Sequence, residues 1–223
     1  MNKNSLKETL IRVLILLFGL TIAHLGVTLF LLANLGSDPF NVLIQGLYRQ
    51  SSILPSLLSK YLTHGRVHIF ICLLIIVVLL IVDRKYVKIG TILCMICGGP
   101  IIDFFTLFLG PLFAGDVNLI TKIFVNILGC VILAFGMTIV IKSDCGTGPN
   151  DLVAIVISDK LKLKFSIVRV IVDLCFAGVG FVLGGTLGLG TIICAFVVGP
   201  VAGVFMPMNE KWINKLVSNL TRT

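Results

Sequence analysis

Arg169 and Asp173 stand four residues apart in an otherwise apolar run. Side chains at that spacing share one face of a helix, so the two can neutralise each other. Alternatively, Arg169 holds a substrate carboxylate or phosphate and Asp173 helps to release it. Asp151 follows Pro149 and Asn150 at the head of another apolar run. A carboxylate in the first turn of a helix satisfies free N–H groups and the helix dipole. On unwound backbone it makes a cation or proton site. Asp103 is a lone carboxylate inside a third apolar run. Asp38, Pro39 and Asn41 repeat the Pro149–Asp151 theme near the N-terminus.

The surroundings of these side chains explain why they are notable. The chain has 223 residues, of which 57% are hydrophobic and 13% charged, with a mean hydropathy of +1.11. Soluble domains carry about 25% charged residues. Several runs approach or exceed the roughly 18 to 20 apolar residues that cross a bilayer. A charge inside such a run is expensive and faces a cavity or a partner. The net charge of +8 is accounted for by Lys and Arg in cytoplasmic loops, so it implies no nucleic-acid partner. The seven cysteines fall mostly inside apolar runs and imply no disulfide framework. Cys94 and Cys97 have the spacing of a redox or metal pair, but they sit in an apolar run with no second pair and no nearby His, and read as small packing residues. No cofactor or metal site is expected. Nor is an enzyme, since no nucleophile–base pair is present.

Six spans are predicted: about Leu10–Ala33, Arg66–Val82, Ile89–Leu109, Leu119–Ile141, Phe165–Leu183 and Leu189–Met206. The first is too long for a signal-peptide core and lacks a cleavage site. Gly99-Pro100 and Gly199-Pro200 are expected to kink their helices. Two short helices follow broken stretches. One starts at Pro39, capped by Ser37 or Asp38, and the other covers about Asn150 to Lys160. Residues 152–157 are apolar all round, which predicts burial within the bundle. An amphipathic piece is expected around Leu54 to Leu62, and the tail with Trp212 as an interfacial anchor. His24 reads as a proton relay or a hydrogen-bonded core histidine, and Asn126 as interhelical glue.

The chain repeats itself. Gly90-Thr-Ile-Leu-Cys94 matches Gly190-Thr-Ile-Ile-Cys194, and Gly99-Pro100 matches Gly199-Pro200, both at an offset of 100. Gly19, Gly26 and Thr28 match Gly129, Gly136 and Thr138 at an offset of 110. Three spans per half is an odd number, so the halves, about residues 10–112 and 117–208, must face opposite ways. With the N-terminus inside, fourteen of the 18 Lys and Arg residues fall on the inner side; only Arg49, Lys60, Arg66 and Lys122 fall outside. That bias predicts both termini on the cytoplasmic side of a cell membrane.

Pro149-Asn-Asp151, Phe165-Ser-Ile-Val-Arg169, the glycine-rich stretch Gly184–Thr191 and Gly199-Pro200 resemble the YczE/YyaS/YitT family of bacterial membrane proteins, in particular its YczE branch. The resemblance implies a glycine-x-glycine-proline-x-aspartate motif after the first span of each half. It also implies an arginine and an acidic residue four apart in the fifth span, here Arg169 and Asp173, and a glycine followed by an aspartate in the third, here Gly99 and Asp103. In the first motif Asp38 stands where glycine is usual and Asn41 where aspartate is usual.

These readings converge on an all-α polytopic membrane protein with six transmembrane helices as two inverted three-helix repeats, each with a short broken or re-entrant helix. The expected function is transport of a small molecule or ion. The alternatives are a substrate-binding subunit of a larger transporter and a non-transporting regulatory or scaffold protein. The expected partners are the lipid bilayer and the solute, in an arrangement compatible with a homodimer. The expected site comprises Asp151, Arg169, Asp173, Asp103, Asn41, Asp38, Pro39 and Pro149.

Overall fold

Long uninterrupted apolar runs satisfy every backbone group internally only as helices, and every secondary-structure element of the computed structural model, which describes residues 3–36, 38–50 and 64–222, is helical. The elements are α1 (Lys3–Ala33), α2 (Pro39–Gln50), α3 (His64–Val82), α4 (Ile89–Leu109), α5 (Leu119–Lys142), α6 (Pro149–Leu161), α7 (Phe165–Val182) and α8 (Leu189–Arg222). Short 3₁₀ turns, Arg84–Tyr86 and Gly110–Phe113, follow α3 and α4. Ser37, Lys60 and the amphipathic piece expected around Leu54 to Leu62 lie outside the described residues.

Five described helices are long and apolar enough to cross a membrane, within Leu6–Ala33, Ile89–Phe113, Leu119–Lys142, Phe165–Val182 and Leu189–Thr221. The remaining expected span, in α3, is apolar over Arg66–Val82, at the short end of the spanning range. This is a polytopic helical membrane protein. Its many exposed Leu, Ile, Val and Phe side chains suit lipid as the surrounding solvent.

One boundary departs clearly from expectation. The last span does not stop at Met206; α8 runs on through Pro207 to Arg222. The tail is held by packing: Ile213 and Val217 are buried against Ile15 and Ile139, with Trp212 beside them. Trp212 Nε1 donates to Asn209 Oδ1, and Asn209 Nδ2 to Thr138 Oγ1, both at 2.7 Å.

The centre of the fold is the antiparallel crossing of α1 and α5. A Cβ on Gly129 would lie 2.8 Å from Gly26 O, and one on Gly136 would lie 2.7 Å from Gly19 O and overlap Ala23 N. The absence of side chains lets the two backbones touch, and in lipid such close van der Waals contact is what holds helices together. Because backbone cannot step aside, Gly136→Ala is expected to destabilise the protein by about 1–3 kcal/mol, outweighing the roughly 1 kcal/mol by which alanine favours a helix. A melting temperature in detergent equal to that of the wild type would refute this packing account.

The loops after α1 and α5 share one backbone conformation. Asn34 and Asp144 have φ of 50° and 61°, and Gly36 and Gly146 have φ of 135° and 115°. Asn and Asp tolerate the left-handed region, and the glycines take values that a side chain would resist. Each loop is tied to the start of a helix in the other half. Leu35 O accepts from Gly190 N at 2.9 Å, and Cys145 O accepts from Gly90 N at 2.8 Å. The two bonds interchange under the 110- and 100-residue offsets.

Candidate functional site

Proline at the first helical position starts α6, and Gly148 before it offers no side-chain cap. Asp151, in the first turn, is therefore placed to cap its own helix, and it does not. Its carboxylate instead accepts from Arg169 Nη1. Arg169 Nε donates to Asp173 Oδ2 at 2.9 Å. Arg169 is 7% exposed and Asp173 1%, so the arginine is not snorkelling towards an interface. It is buried between two carboxylates from two helices. Burying such charges costs several kcal/mol per ion, and only close, hydrogen-bonded pairing offsets that.

At α2 the carboxylate sits one turn earlier. Asp38 Oδ1 accepts from Asn41 N at 3.1 Å, an N-cap bond, and Oδ2 accepts from Asn41 Nδ2. Asn41 therefore orients Asp38.

These groups meet in one cavity of about 370 Å³, lined by Asp38, Asn41, Pro149, Asp151 and Arg169 among others. Its remaining wall is largely apolar, with Phe30, Phe40, Met95 and Leu133 prominent. That volume lies within the usual range for small-molecule sites. His24 also lines it; Nδ1 bonds Leu20 O at 2.8 Å, so the ring is both hydrogen-bonded within its helix and presented to the cavity. Asp173 joins through Arg169. Pro39 is buried at the start of α2, outside the lining.

Asp103 does not join. It is exposed on α4, although Gly99 and Ile102 of the same helix line the cavity. Gly99 and Asp103 stand one turn apart on the same side of α4 and both are exposed; the cavity reaches Gly99 and Ile102 and ends short of Asp103, and apolar flanks on both sides gave no indication of where along the helix it would end. The glue assigned to Asn126 is also absent: the residue is 0% exposed, and neither Oδ1 nor Nδ2 has a hydrogen-bond partner. Two lining residues were missed. His68 packs edge-on against Phe40, ring centroids 5.4 Å apart, and a histidine near the start of a span was the available signal. Thr147 lies within the broken motif, but nothing in its type marks it. Among the described residues, no three His, Cys, Asp or Glu side chains converge to hold a metal ion, and all seven cysteines are free thiols.

A family model described as a family of unknown function, DUF6198, matches residues 10–207. The chain belongs to the DUF6198 family. It is 27% identical over 206 residues to YczE of Bacillus subtilis, an uncharacterized membrane protein, covering 91% of this chain and 89% of that one. YyaS of the same organism is 25% identical over 194 residues, 86% of this chain and 91% of its own. An uncharacterized protein of Haemophilus influenzae is 28% identical over 192 residues, 86% and 82% of the two chains. No solved structure matches significantly. The resemblance carried by the loop and glycine motifs is thus met by whole-chain similarity.

In this DUF6198 member the two short helices are seated differently. Both lie within the bundle, not at its edge: Phe40, Val42, Ile44 and Gly46 of α2, and Leu152, Ala154 and Val156 of α6, are buried. α2 meets α7 backbone to backbone, with a Cβ on Gly180 falling 2.5 Å from Leu43 N and Val42 C. Its C-terminal end also clasps the turn after α7. Thr186 N and Oγ1 donate to Gln45 Oε1 at 2.7 and 2.6 Å, Gln50 Nε2 donates to Leu183 O at 3.0 Å, and Arg49 donates to Gly184 O. The corresponding contact of α6 with α3 rests on the side chains Leu79, Leu152 and Val156. Alongside it runs an apolar groove of about 480 Å³ between α3 and α6. Val156 stands at the offset position of Gly46 and Leu80 at that of Gly180, so side chains hold these two backbones apart. Near the polar end of α6, burial, reinforced by the neighbouring Asp159 carboxylate, pushes the Tyr86 hydroxyl above its ordinary pKa.

Proposed function

We propose that this protein transports a small solute by alternating access, with two inverted three-span repeats rocking about the α1–α5 crossing. The observation that carries the reading is the cavity reached by both broken elements, Asp38 and Asn41 from one and Pro149 and Asp151 from the other. Interrupted helices meeting at a shared polar site between repeats are how secondary transporters build a substrate site. The interchanged bonds Leu35–Gly190 and Cys145–Gly90 support a two-fold relation between the halves. The difference between the clasped α2–α7 contact and the side-chain-spaced α6–α3 contact supports a form closed on one side.

Charges at one end support the inner side. Arg12 donates to Ser143 O, Lys142 pairs with Glu210 at 2.8 Å, and Lys88 pairs with Asp144. These contacts gather the start of α1, the end of α5 and the middle of α8 in one basic region, the expected cytoplasmic face. In this arrangement the clasp lies on the outer side, and Thr147 stands between the central cavity and a second one of about 340 Å³ bounded by Lys85, Lys88 and Asp159.

Reconstitution into proteoliposomes, with uptake and efflux of a solute panel, tests the proposal. Wild-type protein should move at least one solute, and Asp151→Asn should lower its rate by at least about tenfold, the loss of roughly 1.4 kcal/mol at the rate-limiting step. A folded Asp151→Asn protein that transports every solute at the wild-type rate would remove Asp151 from the site.

A further inference from the structure

Arg169 was the natural receptor for an anionic substrate, but the structure gives it other work. Two of its three guanidinium nitrogens are occupied, Nη1 by Asp151 and Nε by Asp173. An arriving carboxylate would have to displace one of these partners and then lie beside both.

The charges around the cavity decide the sign of what it accepts. Asp38 and Asp151 line it, Asp173 stands behind Arg169, and Arg169 is the only guanidinium or ammonium among the described lining residues. Three carboxylates thus face one cation. The N-terminal ends of α2 and α6 add roughly half a positive charge each, which does not cancel the surplus of two negative charges. The uncommitted atoms of Asp151 and His24 agree with this. Asp151 Oδ2 accepts no hydrogen bond from the described residues, and His24, with Nδ1 on Leu20 O, keeps Nε2 for another partner. Thr147 is 2% exposed, lines the cavity, and its Oγ1 has no partner at all. A buried hydroxyl left unpaired costs about 1–3 kcal/mol. The apolar wall of Phe30, Phe40, Met95 and Leu133 suits a hydrocarbon body. The carboxylates do not converge as metal ligands do.

We propose that this cavity binds a small organic cation, an ammonium group carried on an apolar body, with Asp38 and Asp151 as its counter-charges. The proposal rests on the transport reading only for what happens after binding. The ammonium sits between the two broken helix starts, and the alkyl or aromatic part lies against the α1, α4 and α5 wall. Arg169 and Asp173 hold Asp151 in place.

Three probes of nearly equal size separate charge from hydrophobicity: n-hexylammonium, hexanoate and hexanol. Each is titrated against the purified full chain in detergent by calorimetry and by melting temperature, since a ligand that prefers the folded state raises it. Hexylammonium is expected to bind at least tenfold more tightly than either of the others, and sodium or potassium chloride at equal concentration not to replace it. Asp38→Asn keeps the helix cap, because asparagine caps as well as aspartate. It should leave the melting temperature of the unliganded protein unchanged and weaken hexylammonium by about tenfold, as expected for removing one nearby charge at intermediate dielectric. Equal binding of hexanoate or hexanol, absence of hexylammonium binding, equal protection by sodium or potassium, or indifference to Asp38→Asn would each overturn the proposal. Proteoliposome uptake separates this from the broader reading. Movement of anions alone would refute the cationic class and leave transport standing. Hexylammonium that binds but is not moved would leave the site standing and refute transport.

Discussion

Arg169→Ala is expected to cost about 3–5 kcal/mol of stability, the usual penalty for removing one partner from a buried ion pair. Here the penalty is enlarged by geometry, because one guanidinium serves two carboxylates, Asp151 and Asp173. Its loss leaves Asp173, 1% exposed, charged and unpaired. The same reasoning predicts partial rescue. In Arg169→Met with Asp173→Asn the deepest charge is gone and the volume is nearly kept, and replacing a buried pair by uncharged groups is often close to neutral. The double variant should recover at least half of the stability lost by Arg169→Ala. The measurement is thermal or denaturant unfolding in detergent. A single variant within about 1 kcal/mol of wild type would mean that the cluster is not holding the fold.

The second large effect belongs to Gly180. A leucine there has no room, since even a Cβ lies 2.5 Å from backbone atoms of Val42 and Leu43. Backbone cannot rotate away as a side chain can, so α2 must leave α7 and its clasp on the 183–186 turn must open. An overpacking cost of about 1–3 kcal/mol corresponds to a shift of roughly 5- to 150-fold in the balance between closed and open forms. Uptake should fall accordingly. Cys72, now 3% exposed in the cluster with Phe40, Ile44 and Val67, should become reactive to maleimide, as read by peptide mass mapping. A Gly180→Leu protein that melts cooperatively, transports normally and leaves Cys72 unlabelled would show that the α2–α7 contact closes nothing.

Much of the framework was legible because its causes are local. α4 occupies Ile89–Leu109, as its hydropathy and flanking loops predicted. Pro39 and Pro149 each start a short helix. The two prolines have fixed φ and no N–H to lose at a first helical position; the first start was expected at Pro39 and the second at Asn150, one residue late. The Arg169–Asp173 bond follows from spacing along one helix. The tail was misjudged because Pro207 and the charges beyond it resemble a stop, whereas packing of Ile213 and Val217 on α1 carries the helix past them.

The site itself was legible only in its parts. In a soluble protein, the polar face of a helix shows which way each residue turns. In lipid both faces are apolar, so that signal vanishes. Asp103 therefore looked as well placed as Asp151, and their different fates depend on where along its helix the cavity ends, which hydropathy does not encode. The reach of Asp151 to Arg169 depends on how α6 sits on α7, and the departure of the first motif, with Asp38 for glycine, turned out to supply the carboxylate from the cap position.

The amino-acid sequence alone therefore determined the membrane class, most helix boundaries, the two broken motifs and every charge that had to find a partner, because each follows from neighbours along one chain segment. The tertiary structure alone decided which charges share the cavity, which carboxylate faces outward and which short helix is clasped. Those depend on the rotation and separation of helices, and at the α1–α5 and α2–α7 contacts it is the glycine backbones that set both.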